Sequence, residues 1–309
     1  MTGVLTGFVV VASLVAVGYV LGRTGVLGPS GQAVVSRLVF FVGSPALLVQ
    51  TLADADVHVL FSEQLVVTAS GVVAAVVLWV LIARYRLRLS RDDLVIGGLA
   101  AAFVNAANIG LPVAAYVLQD LTAVLPAMLL QMVVLSPVAL GILDVSRHPP
   151  GGGGWASAKR LLAPLANPVL IASAVGIVLS VTGWTLPTAL AQPLDLLAGF
   201  AIPGALVAFG ISLHGRSTTG WRSPEVLVAS ALKAFVQPLV TWAVARFVLG
   251  LDETAVFAAT VVAALPTAQN VFTYAVRYGV GRDLARDTVL VTTVLVAPVL
   301  LLISVLLPH

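Results

Sequence analysis

Ten long apolar runs fill this chain, each separated from the next by a short polar stretch. They cover residues 4–22, 31–52, 62–83, 93–119, 122–143, 164–183, 190–213, 224–249, 254–277 and 284–307. Runs of about 20 apolar residues match the hydrocarbon thickness of a bilayer when helical. The stretches between them carry turn chemistry: Gly28-Pro29-Ser30-Gly31 after the first run, Arg84 to Arg91 after the third, and Pro149-Pro150 with Gly151 to Gly154 after the fifth. The pattern predicts an all-α polytopic membrane protein of ten transmembrane helices.

Two runs are interrupted. The fourth is uncharged from Leu94 to Leu118, yet its centre reads Asn105-Ala-Ala-Asn-Ile-Gly-Leu-Pro112. The ninth is uncharged from Ala255 to Val276 and holds Leu265-Pro-Thr-Ala-Gln-Asn270. Proline removes a backbone donor and disturbs the carbonyl one turn earlier. In hydrocarbon, backbone groups freed in this way are tolerated only where protein or a water-filled cavity covers them. Paired interruptions in corresponding segments point to a transporter's binding site. A helix broken at mid-depth turns the donors of its second half and the carbonyls of its first half toward one small space. The donors favour an anion, and the carbonyl ends, with amide oxygens of Asn105 or Gln269, suit a small cation. The expected pocket residues are Asn105, Asn108, Gly110, Pro112, Pro266, Thr267, Gln269 and Asn270, with bare donors following Gly110 and Asn270. Ser44 beside Pro45 in the second run, Gln131 and Ser136 in the fifth, and Pro203 in the seventh are further candidates. Against this stands simple helix packing, since membrane asparagines and glutamines often hydrogen-bond a neighbouring helix.

Lys233 lies ten residues beyond Ser223 in the eighth run, roughly 15 Å deep at a helical rise. An intramembrane charge is costly and marks function. Asp144, Asp195 and Glu63 fall at run ends, so Lys233 is expected to face either the substrate anion or the carbonyl ends of the broken helices. There it stands in for a bound sodium ion. Snorkelling to an interface is the bland alternative.

Composition agrees with the pattern. Of the 309 residues, 60% are hydrophobic and 9% charged, with a mean hydropathy of +1.08. The pI near 9.6 does not imply nucleic acid, because the arginines occupy short loops where membrane orientation explains them. Loops after odd-numbered runs hold Arg23, Arg37, Arg84, Arg86, Arg88, Arg91, Arg147, Lys159, Arg160, Arg216, Arg222, Arg277, Arg282 and Arg286. That leaves only Lys233 and Arg246 of the 16 basic residues. The positive-inside rule then puts both termini outside the cytoplasm, in a cell membrane. Five runs per half make the halves, residues 1–144 and 164–309, inverted repeats joined by a cytoplasmic linker at 145–163. The first run lacks a preceding basic stretch and reads as a retained helix rather than a cleaved signal.

Other chemistries are absent. There is no cysteine, the four histidines (His58, His148, His214, His309) are scattered, and no His-Glu-x-x-His, phosphate loop or nucleophile elbow occurs. No cofactor or metal is expected, and an enzyme or ATP-driven pump is not indicated.

The sequence resembles the auxin efflux carrier family, which includes plant auxin exporters and bacterial permeases for small dicarboxylates such as malate and malonate. The resemblance spans nearly the whole chain and rests on Asn105 with Gly110-Leu111-Pro112, Asn167-Pro168, Pro203 with Gly210-Ile-Ser-Leu213, Lys233 with Pro238, and Leu265-Pro266-Thr267. It implies a fold like that of the bile acid sodium symporters. Helices one, two, six and seven would form a scaffold, often the surface of a homodimer. Helices three to five and eight to ten would form a moving core. It also implies that Asn105 binds the substrate carboxylate, that Ser44 lines the pocket, and that Asn167 takes part in binding. Asn108 departs from the family's usual apolar residue. The plant carriers' long cytoplasmic loop is missing.

The expected function is secondary transport of small organic anions by an elevator-like shift. The competing reading is an anion channel or ligand sensor built on the same pocket.

Overall fold

A computed structural model describes residues 2–54, 62–110, 113–146, 167–214 and 220–307. Most of the expected linker, 147–163, lies outside the described residues. Among those described, the chain is helical apart from one isolated antiparallel bridge between Val104 and Thr267. The helices are α1 (Thr2–Thr24), α2 (Gly31–Ala53), α3 (Glu63–Leu87), α4 (Arg91–Ala102), α5 (Thr122–Ser146), α6 (Pro168–Thr182), α7 (Thr188–Ser212), α8 (Pro224–Val248), α9 (Glu253–Ala264), α10 (Gln269–Tyr278) and α11 (Arg282–Leu306). Six of them are long and apolar enough to cross a membrane: α2, α3, α5, α7, α8 and α11. Shorter apolar stretches lie in α1, α6 and α9.

Starts and stops follow local chemistry. The side chains of Ser62, Ser90, Asn167 and Asp252 accept first-turn N–H groups of α3, α4, α6 and α9, which satisfies donors that a helix leaves bare. Three prolines inside long helices have a common consequence. Pro45, Pro137 and Pro238 each follow a π-helical stretch by two residues: Val39–Gly43, Leu130–Leu135 and Leu232–Val236. Proline cannot donate to the preceding turn and its ring crowds that turn's carbonyl; widening the turn relieves both. The widened turns carry Gln131 and Lys233, and Ser44 follows one directly.

Two sets of helices pack closely within themselves. In one, α1 lies on α7, and α2 lies on α6 and α7. Small residues let these backbones touch: a Cβ at Gly18 would sit 2.2 Å from the Val207 carbonyl oxygen, and one at Gly210 would sit 2.1 Å from that of Val15. In the other set, α3 packs on α4 and α8, α8 on α9, and α11 on α4, α8, α9 and α10. The sets meet mainly where α10 crosses α2 and α7. There Phe40 and Phe209 face Tyr274 and Phe272 edge to face, at 6.1 and 5.7 Å.

Loop residues from different connections gather in two clefts. Gly25 to Pro29, His214 and Arg282, from the connections after the first, seventh and ninth runs, line one cleft. Ser62, Asp120 and Asp252, from those after the second, fourth and eighth, line another of about 620 Å³.

Candidate functional site

The two interruptions meet. Helix α4 stops at Ala102, and the chain is extended through Phe103 to Asn105; α9 stops at Ala264 and is extended through Leu265 to Ala268. These short stretches run antiparallel. Asn105 N–H donates to the Pro266 carbonyl at 2.8 Å, and Ala268 N–H donates to the Phe103 carbonyl at 3.1 Å. The exposed backbone of each break thus satisfies the other, as hydrocarbon requires.

The break in the fourth run lies earlier than its glycine and proline suggest. The expectation of bare donors after Gly110 needs correcting: helical structure resumes at Ala106, and Gly110 N–H already donates to the Asn105 carbonyl at 2.9 Å. The pairing with the ninth run, not the proline, sets the position. Gly110 serves close packing instead, since a Cβ there would come within 3.0 Å of Leu265. Pro112 and the Asn108 side chain lie outside the described residues.

Five buried side chains stitch the crossing. Asn105 Nδ2 donates to Gln269 Oε1 at 3.0 Å, joining the two breaks. Val104 N–H donates to Gln131 Oε1 of α5. Thr267 Oγ1 donates to the Ala100 carbonyl at 2.7 Å, and its N–H donates to Thr292 Oγ1 at 3.1 Å. Thr267 is therefore turned away from the cavity described below. Helix α8 serves the carbonyl ends of both first halves. Lys233 Nζ donates to the Ala263 carbonyl of α9 at 2.7 Å, and Gln237 Nε2 donates to the Ala102 carbonyl of α4 at 3.2 Å. Lys233 is 0% exposed, so of its two expected placements it takes the one at the carbonyl ends, and it does not snorkel.

A cavity of about 50 Å³ opens beside the crossing, room for a few water-sized groups. Asn105, Gln269 and Asn270 line it from the breaks, Gln131 and Ser136 from α5, and Tyr274 from α10. Ser44, Leu47 and Leu48 of α2 and Ala201 and Ile202 of α7 close it from the opposite set of helices. The cap of α10, Ala268, offers no side chain to its first turn, so the α10 start presents its positive dipole end to this space.

Of the other candidates, Pro45 and Pro203 shape α2 and α7 but do not line the cavity. Asn167 is elsewhere: it caps α6 and donates to Asp144 Oδ2 at 2.8 Å and to the Tyr278 hydroxyl at 3.0 Å. Tyr274, Phe103 and Met128 line the cavity without having been singled out by sequence. Tyr274 had a signal, being one helical turn after Asn270 and hence on its face.

A membrane-crossing helical body in which two interrupted helices meet at a polar cavity defines the class: a membrane transporter. The chain belongs to the membrane transport protein family that includes the auxin efflux carriers, whose family model matches residues 4–147 and 156–304. It is 26% identical over 293 residues to a Rhizobium meliloti protein named "Putative malonate transporter", covering 91% of this chain and 89% of that one. It is 28% identical over 292 residues to an "Uncharacterized transporter" of Methanothermobacter thermautotrophicus, covering 91% of each.

Proposed function

We propose that the protein is a secondary transporter that carries small carboxylate-bearing organic anions across the cell membrane. In this reading α3–α5 and α8–α11 shift as a body past α1, α2, α6 and α7, and the two halves of the chain are inverted repeats with both termini outside. The observation that carries it is the position of the cavity. Most of its polar wall belongs to the crossing and α5, and its opposite side, apolar except for Ser44, belongs to α2 and α7. A sliding boundary running through the binding site is what alternating access needs.

The chemistry of the wall supports an anion: the open start of α10 with the amides of Asn105, Gln269 and Asn270. The small volume favours a compact acid. The name of the Rhizobium meliloti relative points to malonate as the first to try. Lys233 supplies, at the carbonyl end of α9, the charge that a bound sodium ion would otherwise supply, so transport runs without sodium.

The test is counterflow of labelled malonate in proteoliposomes. Saturable uptake against internal malonate is expected, falling roughly 10- to 100-fold in Asn105→Ala, the range for losing a hydrogen bond to a charged group. Non-saturating flux with single-channel currents would favour a channel and overturn the proposal.

A further inference from the structure

The polar groups of the cavity do not all gather at the crossing. Asn105, Gln269 and Asn270 sit there with Gln131, whose Oε1 accepts from Val104 N–H, and Ser44 lines the cavity from α2. Tyr274 lies one turn beyond Asn270 on α10, about 6 Å further along the axis. Its hydroxyl meets Ser136 Oγ of α5 at 3.2 Å, directly after the widened turn that precedes Pro137. Both residues are buried, and both line the cavity. Phe103, Met128 and Met132 add apolar surface to the same cavity.

Counting hydrogens shows what the pair can do. Two hydroxyls carry two protons. Whichever oxygen donates within the pair, one proton is used there and the other is left. Among the described residues neither hydroxyl has a second hydrogen-bond partner. A buried donor without an acceptor is costly, and the space open to this one is the cavity. The tyrosine is also fixed in place, its ring packed edge to face on Phe40 at 6.1 Å and on Phe103 at 6.4 Å.

We propose that Tyr274 and Ser136 form a second recognition pole, which binds a second carboxylate and makes the site selective for compact dicarboxylates over monocarboxylates of equal length. One carboxylate sits against the amides and the start of α10, and the other accepts the remaining hydroxyl proton. A monocarboxylate puts a methyl group where that proton needs an acceptor. A site built around a polar group rejects the analogue that lacks it. The inference rests on the anion reading of the crossing.

The experiment measures binding of malonate and of propionate to the purified full chain. The wild type is expected to hold malonate at least roughly tenfold more tightly. Tyr274→Phe keeps the ring contacts; it should weaken malonate roughly tenfold and leave propionate unchanged. Ser136→Ala should act in the same direction, and decides the matter if Tyr274→Phe does not fold. Asn105→Ala should weaken both acids. Equal weakening of both acids by Tyr274→Phe and Ser136→Ala, no effect of either, or no preference in the wild type would overturn the second pole. If Asn105→Ala weakens both acids while the hydroxyl variants leave the ratio unchanged, only this inference fails. If Asn105→Ala changes neither, or the wild type binds neither acid, the anion reading fails with it.

Discussion

Lys233 shows how a single residue is made tolerable inside a membrane. Its ammonium is fully buried and meets the Ala263 carbonyl in the last turn of α9, where a helix carries about half a negative charge. Removing the charge while keeping most of the volume is the clean perturbation. Lys233→Met should abolish counterflow and lower stability by about 1–3 kcal/mol, the cost of leaving that carbonyl unserved. Wild-type flux should be the same in sodium and in choline buffers; strict sodium coupling in vesicles would refute the role given to Lys233. Counting residues from Ser223 was enough to find Lys233, because an intramembrane charge has few uses. Asn105 was found for a similar reason. Asn167 and Thr267 could not be separated from true cavity residues in this way. An amide or hydroxyl in an apolar run looks the same whether it faces a ligand or a neighbouring backbone, and only the partners Asp144, Tyr278 and Ala100 decide. Asn167→Ala should therefore cost about 1 kcal/mol for the lost cap, seen as a lower melting temperature. Malonate affinity should be unchanged; a loss of affinity at unchanged stability would make Asn167 a ligand instead.

At the scale of elements, the prolines mark where helices bend but not how. Pro45, Pro137 and Pro238 follow widened turns, whereas Pro203 and Pro298 sit inside regular α7 and α11. Local sequence does not separate these cases, since all five prolines sit in apolar runs. The same holds for the fourth run, where Gly110 and Pro112 are the visible breakers, yet the chain opens at Phe103 to Asn105. The reason is that a second extended stretch, 265–268, is available there to pair with it. Close approach of α1 and α7 was only half visible, since Gly18 and Gly22 have the four-residue spacing of close-packing membrane helices, but that spacing does not name the partner helix. It is testable all the same. Gly18→Val places a Cβ against the Val207 carbonyl, at 2.2 Å before any shift, and should destabilise the protein by about 1–3 kcal/mol or more, read as a fall in melting temperature.

The whole molecule consists of two tightly packed sets of helices with a small polar cavity on their boundary. The ten-run hydropathy pattern and the placement of arginines made the membrane class and the two interruptions readable from sequence. The division into sets came only from the family resemblance and not from the pattern itself, because it depends on which largely apolar faces meet, and the runs look alike in that respect. Transport by this route requires relative movement of the sets, and distances between spin labels measure it directly. The chain has no cysteine of its own. Labels at Leu196→Cys on α7 and Leu239→Cys on α8, both exposed, report across the boundary, and labels at Val178→Cys on α6 and Leu196→Cys report within one set. Titrating malonate should shift the first pair between two distances that differ by about one helical turn, roughly 5 Å, while the second pair keeps a single distance. A first pair that holds one distance at every malonate concentration, in a protein that still performs counterflow, would contradict the account.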